Sequence, residues 1–115
     1  MTSPSARTPE YGNEYIAIIF QRSSVGSLQD REEEAARLTD YADRHGLRVV
    51  SIYVASGEPN ILTIDMLINH CMAREKPGHV LLTAVSCLWI GDDTPEIIAM
   101  VEAAGAIVHV PLEAT

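Results

Sequence analysis

An arginine and two serines directly follow a short run of bulky apolar residues in the stretch YIAIIFQRSSVGS, from Tyr15 to Ser27. Arg22 and Ser24 are two positions apart, so both side chains can face one pocket. In such a pocket a guanidinium could hold a phosphate while a hydroxyl attacks it. Polar loops are normally rich in serine, so an ordinary loop is the competing interpretation. Arg22 and Ser24 are therefore candidate catalytic residues, although the motif alone favours an ordinary polar loop.

The apolar run before Arg22 predicts a buried central strand, because its residues are β-branched, aromatic or large and the run is too short for a buried helix. Three further apolar runs predict strands at 47–54, 79–85 and 106–110. Segments with helical periodicity lie between the strands, at 28–45, 61–74 and about 94–104. This alternation predicts an α/β fold of three layers, with a four-stranded, mainly parallel sheet between helices. Ligands collect where parallel strands end, which is where Arg22 and Ser24 lie.

The chain of 115 residues predicts one domain that needs neither disulfides nor metal for its core. We expect a disordered leader at 1–13, the α/β domain at 14–111 and a tail at 112–115. The leader is polar and lacks an apolar signal core, and no segment approaches the length of a membrane helix, so we expect a cytoplasmic protein without membrane contact.

The net charge of −8 and the pI near 4.8 argue against direct binding to nucleic acid, because the field of the molecule repels polyanions. Histidines and cysteines are scattered over different elements without the spacing of metal ligands. We therefore expect no metal and no cofactor. The residues concerned are His45, His70, Cys71, His79, Cys87 and His109.

Two further loops contain candidate binding residues. Ser56 and Gly57 leave the second predicted strand, and the apolar residues Leu88, Trp89 and Ile90 leave the third. Tryptophan is favoured at interaction hot spots, so the apolar loop could anchor a partner. Alternatively, Trp89 folds back over the core. These five residues are predicted to form an interface or a pocket.

The order of these motifs resembles the catalytic domain of serine recombinases, the resolvase and invertase family, from Tyr15 to about Pro111. The matching residues are Arg22 and Ser24; Ser27, Leu28, Asp30 and Arg31; and Ala55, Ser56 and Gly57. In that family, the serine that ends the first strand attacks the DNA phosphodiester and forms a phosphoseryl link. The resemblance thus implies a flavodoxin-like, resolvase-like fold, with Ser24 at the nucleophile position and Arg22 as its arginine neighbour.

Other family residues have no counterpart here. The family has an acidic residue before its Ser-Gly step, where this chain has Tyr53 and Val54, and an arginine a few residues later, where Pro59 to Leu62 contains none. It follows its third strand with Leu-Asp-Arg-Leu-x-Arg, where this chain has VSCLWI at 85–90. It also continues past the fourth strand into a long helix and a DNA-binding region. The resemblance is therefore to a degenerate and truncated member.

Phosphoryl transfer depends on charge stabilisation of the phosphate, so the loss of three arginines predicts the loss of strand exchange. The first hypothesis is a regulatory or interaction module that contacts a protein partner or a second copy as a homodimer. The second is a surviving recombinase or nuclease-like phosphotransfer whose arginines come from another chain. The third is a module that binds a small anion or a nucleotide at the strand ends.

Overall fold

A computed structural model describes residues 15–23, 27–57, 60–89 and 91–112. Its strands are β1 (Ile16–Arg22), β2 (Arg48–Ala55), β3 (His79–Leu82) and β4 (Ile107–His109). Its helices are α1 (Leu28–Arg44), α2 (Ile61–Met66), α3 (Ala73–Glu75) and α4 (Thr94–Ala103). A π-helical turn, Leu67–Met72, joins α2 to α3, and a 3-10 turn, Val85–Cys87, follows β3. The predicted leader and most of the predicted tail lie outside the described residues.

The four strands form one parallel sheet in the order β2-β1-β3-β4, which confirms the predicted α/β class. β1 is central, as its apolar composition predicts, and pairs with β2 on one side and β3 on the other. The carboxyl ends of these three strands therefore meet at one edge of the sheet, where Arg22 is the last residue of β1. β2 contains a bulge opposite Ala17 and Ile18.

Helix α1 covers one face of the sheet. Leu38 and Ala42 on the helix are fully buried in one cluster with Ala17 and Ile19 of β1. The helix begins with a capping box, in which the Ser27 hydroxyl accepts from the Asp30 N–H and the Asp30 carboxylate accepts from the Ser27 N–H. Helical spacing predicts Leu28 on the same face as Leu38 and Ala42, but Leu28, the first residue of the helix, is 63% exposed.

The second, larger part of the core lies on the opposite face. Ile18 and Phe20 of β1 pack there with residues of α2, the π-helical turn and α4. The buried helical residues of this cluster are Ile64, Leu67, Cys71, Met72, Ile97 and Val101. The segment 61–74 has apolar residues on a wide arc in the sequence, but the core covers only part of this arc, since Ile61 and Leu62 are 56% and 74% exposed.

β3 ends at Leu82, three residues before the predicted end of the strand. The apolar residues beyond it form the 3-10 turn, and Cys87 and Leu88 are buried with 1% and 0% exposure. The strand was predicted too long because the apolar residues of this buried turn continue the apolar pattern of the strand in the sequence. Within the described ranges, no helix is long and apolar enough to cross a membrane.

Candidate functional site

The side chain of Arg22 lies at the strand-end edge of the sheet and is 1% exposed. Its Nε donates to the carbonyl of Cys87 at 3.0 Å. Its Nη1 donates to the carbonyls of Ser56, at 3.3 Å, and Gly57, at 3.1 Å. The guanidinium therefore connects the end of β1 to the loops that follow β2 and β3.

The remaining nitrogen of Arg22, Nη2, is buried and has no hydrogen-bond partner among the described residues. Burial lowers the pKa of the guanidinium, and the pKa of the Cys87 thiol beside it is raised, chiefly by burial. Arginine nevertheless stays charged in proteins. The site is thus a buried cation whose three described hydrogen bonds are all to carbonyl oxygens.

Gln21 precedes Arg22 and points to the other face of the sheet, with 3% exposure. Its side-chain amide donates to the carbonyl of Arg31, at 3.0 Å, and to the hydroxyl of Thr83, at 3.2 Å. Gln21 thus attaches α1 and the end of β3 to β1. Neither Gln21 nor Thr83 was predicted as a site residue, although a polar residue at the end of a buried strand is the signal for such a contact.

Ser23 continues the pairing of β1 beyond Arg22, because its N–H donates to the carbonyl of Ala55 at 2.7 Å. Its own carbonyl accepts from Nη1 of Arg31 at 3.0 Å. Ser24, the predicted nucleophile, lies outside the described residues. The structure therefore places the arginine of the Arg-x-Ser pattern and the backbone up to the residue before the serine.

Ser56 and Gly57 reach the same site as Arg22, as acceptors through their carbonyls. Gly57 has a φ of 75°, in the left-handed region that glycine adopts at little cost. A recess of about 310 Å³ lies beside this loop, where Ser56 and Asn60 form part of the lining together with Thr63. This is a small concave surface at the carboxyl end of β2.

The apolar loop after β3 is divided between the core and the surface. Leu88 is fully buried, so its side chain packs inside the domain. The Trp89 side chain is half-buried and packs against the larger core cluster, and the backbone N–H of Trp89 donates to the carbonyl of Val85 at 3.0 Å. Ile90 lies outside the described residues. The Trp89 side chain thus folds back over the core, which is one of the two arrangements considered from the sequence, and part of its surface stays accessible.

A chain of aromatic side chains lies away from this edge, between α1 and the β3–β4 pair. Nδ1 of His109 is 3.0 Å from the Tyr41 hydroxyl, and its Nε2 is 2.9 Å from Nδ1 of His79. The sequence separations of these residues gave no indication of this cluster. Across the described ranges, no group of three or more His, Cys, Asp or Glu side chains is arranged to hold a metal ion.

Comparison of the chain with family models and with curated proteins finds no match. A solved structure does match: the C-terminal catalytic domain of ISC1926 TnpA, an IS607-like serine recombinase. The TM-score is 0.63 at 25% identity, and the alignment covers 87% of this chain and 72% of the other. This chain has the serine recombinase catalytic fold. The resemblance inferred from the motifs is thereby confirmed at the level of the domain.

A serine recombinase fold accounts for the meeting of the Arg-x-Ser and Ser-Gly motifs. β1 and β2 are adjacent and parallel, with Arg22 directly opposite Ala55 in the register. Their exit loops must therefore lie side by side. Among the described residues, the end of β1 contacts the end of β2 through the Ser23 N–H and the loop after β2 through the hydrogen bonds from Arg22 to the carbonyls of Ser56 and Gly57.

Proposed function

We propose that this domain uses the serine recombinase fold without strand-exchange chemistry and acts through contact with another protein chain. The observation that carries this proposal is the position of Arg22. Its guanidinium is bound to backbone carbonyls on two loops, and the side chain is almost completely buried. Here Arg22 has the role of a structural cross-link between three strand ends.

Catalysis of phosphoryl transfer requires donors that point at the phosphate oxygens. Arginine has five N–H groups, and those on Nε and Nη1 of Arg22 are directed at carbonyl oxygens. A phosphate at Ser24 would have to compete with those carbonyls for the donors. The site as it stands therefore favours a stable loop arrangement over the binding of an external anion.

The residues after β3 support the same proposal. Where the family motif has an aspartate and two arginines, this chain has Ser86, Cys87 and Ile90, and the Cys87 side chain is 1% exposed. The buried Cys87 contributes to the core, and none of the three residues carries a charge that could stabilise a phosphate. The net charge of −8 further opposes the approach of a DNA duplex.

Covalent trapping on DNA tests the proposal. The wild-type chain and Ser24→Ala are incubated with nicked and intact duplexes, together with an active serine recombinase on its own site as a positive control. Denaturing gels then report any phosphoseryl adduct. We expect no adduct with either protein. An adduct that forms with the wild-type chain and with Ser23→Ala, but not with Ser24→Ala, would overturn the proposal.

One observation favours the competing candidate, a Ser24-dependent phosphotransfer or an anion-binding site. The buried Nη2 of Arg22 lacks a partner among the described residues and lies two positions before Ser24. An external oxygen could satisfy it. This candidate predicts a higher melting temperature in millimolar phosphate or nucleotide, because a ligand at a hundredfold excess over its dissociation constant stabilises by about 2.7 kcal/mol. Our proposal predicts an unchanged melting temperature.

A further inference from the structure

Side chains from three elements form one hydrogen-bonded chain on the α1 face of the sheet. Tyr41 belongs to α1, His79 is the first residue of β3 and His109 is the last residue of β4. The Tyr41 hydroxyl lies 3.0 Å from Nδ1 of His109, and Nε2 of His109 lies 2.9 Å from Nδ1 of His79. Both ring nitrogens of His109 are therefore used, so the protons on the two rings decide whether both contacts hold.

The chain attaches the end of β4 to α1. The segment after β4, 110–112, lies beside the helix, and Leu112 packs there against the cluster that contains Leu38 and Ala42. A recess of about 550 Å³ is lined by residues of both the segment and the helix, with Tyr41 and His109 among them. The contacts of His109 thus hold this segment in place at the recess.

The number of ring protons determines which states keep both contacts. A neutral imidazole has one N–H and one acceptor nitrogen. When both rings are neutral, the Tyr41 hydroxyl donates to Nδ1 of His109, whose Nε2–H donates to His79, or all the donors point the other way. One added proton also keeps both contacts, because His109 as an imidazolium donates to the Tyr41 oxygen and to Nδ1 of His79.

A second added proton breaks the chain. The Nε2–H of His109 then faces the Nδ1–H of His79 at 2.9 Å, so this contact has two donors and no acceptor. Both rings are also cations in a half-buried site, with their centroids 5.0 Å apart. The rings must separate for both to be protonated. Because they interact so closely, the protons belong to the pair and are taken up in two steps.

Helix α1 supplies several charged groups around the chain. The His45 ring stacks on Tyr41 with 4.0 Å between the ring centroids. Arg37 and Arg44 line the recess, and Asp40, which lines it as well, forms an ion pair with Arg44 at 3.1 Å. This side thus has two arginines against one carboxylate, and His45 adds a further cation when it is protonated. It opposes further positive charge on the pair.

One carboxylate faces the pair from α4. Glu102 is exposed, and its carboxylate accepts from the Val108 N–H at 3.2 Å. Glu102 acts to raise the pKa of His109, but burial, His79 and His45 lower that pKa and have the larger effect. His109 is therefore neutral near pH 7, and the second proton of the pair is taken up only in acid.

We propose that Tyr41, His109 and His79 form an acid-sensitive latch. The latch holds the end of β4 and segment 110–112 against α1 while the two imidazoles share at most one added proton, and the second proton opens it. Opening moves Leu112 away from the cluster that it contacts and widens the recess. The rest of the domain stays folded, because neither β1 nor β2 contributes a group to the chain.

Imidazole ¹⁵N resonances and amide exchange test the latch, when both are followed on the full chain from pH 8 to pH 4.5. We expect His79 and His109 to titrate together in two separate steps. Amide exchange in 107–112, corrected for the intrinsic rate at each pH, should rise at least about tenfold with the second step. The amides of α1 should keep their protection.

His79→Asn places an amide oxygen near the position of Nδ1 and cannot be protonated, so 107–112 should stay protected in acid. His70→Asn is the matched control, because His70 is exposed on the π-helical turn, and it should open like the wild-type chain. Tyr41→Phe removes one contact at every pH, so 107–112 should exchange about fivefold faster already at pH 8.

The proposal is overturned if 107–112 stays protected after both imidazoles are protonated, or if His79→Asn opens at the same pH as the wild-type chain. Loss of protection in α1 at that pH also overturns it, because the domain then unfolds as a whole. Unchanged exchange in Tyr41→Phe at pH 8 contradicts it whether or not His79→Asn folds. The latch is independent of the proposed function, since none of its residues contacts Arg22.

Discussion

The hydrogen bonds of Arg22 hold the loops that follow β2 and β3, so the loss of its guanidinium should destabilise this edge of the sheet. Arg22→Met keeps a long unbranched side chain but removes the guanidinium, so the carbonyls of Cys87, Ser56 and Gly57 lose their donor. We expect a decrease of about 2–4 kcal/mol in the free energy of unfolding, measured with urea, because unsatisfied buried acceptors cost about 1–3 kcal/mol each and two of these lie on exposed residues.

The control for Arg22→Met is Arg37→Met on the exposed surface of α1. It should change the free energy of unfolding by less than about 0.5 kcal/mol. Equal stability of the Arg22→Met variant and the wild-type chain would show that the guanidinium does not hold the loops.

His109 predicts a dependence of stability on pH. Its pKa is lowered from the usual value of 6.5 by burial and by the neighbouring His79 and His45, although Glu102 acts in the opposite direction. The unfolded chain therefore binds the proton more readily than the folded chain. Stability is complete above pH 6.5 and is lost as the pH falls from there toward the lowered pKa.

His109→Gln removes this titration, so its melting temperature should fall less than that of the wild-type chain between pH 7 and pH 5. His70→Gln is the control, because His70 lies on the exposed side of the π-helical turn. The account of His109 is wrong if His109→Gln keeps the full wild-type slope while His70→Gln reduces it.

The position of Arg22 follows from the sequence, but its partners do not. A polar residue at the end of an apolar run must lie where the strand ends. The carbonyls it binds belong to residues 34, 35 and 65 positions away, and only the tertiary fold brings them close. The same applies to Tyr41, His79 and His109.

At the scale of the elements, the capping box of Ser27 sets the start of α1. Ser27→Ala removes the acceptor of the Asp30 N–H and should lower the free energy of unfolding by about 1 kcal/mol in urea denaturation followed by circular dichroism. Ser27→Asp keeps an acceptor and should retain most of the stability. Equal losses in the two variants would exclude the cap as the cause.

The strands and helices were predictable because their apolar periods differ. The 3-10 turn after β3 and the π-helical turn were not, since both continue an apolar pattern that fits a longer strand or an uninterrupted α-helix. In the π-helical turn, Leu67, Cys71 and Met72 are all buried, which widens the apolar side beyond that of an α-helix. In the sequence, the wide apolar arc of 61–74 was the one feature that indicated this π-helical turn.

At the scale of the molecule, the order of the motifs predicted the domain. Parallel strands joined by helices bring their carboxyl ends to one edge, so motifs that are far apart in the sequence become neighbours. The solved recombinase domain has the same fold at 25% identity. The fold alone does not determine chemistry, which depends on the side chains at that edge.

The exchange of the Arg22 Nε–H proton with solvent, followed by NMR of the guanidinium groups, examines that edge directly. A proton held by the Cys87 carbonyl in a buried site should exchange slowly, and its resonance should not move when inorganic phosphate or a DNA duplex is added. Arg37 serves as the rapidly exchanging reference. Fast exchange at Arg22, together with a shift that saturates with phosphate or DNA, would show that its guanidinium is available to a phosphate and would contradict the structural role assigned to it.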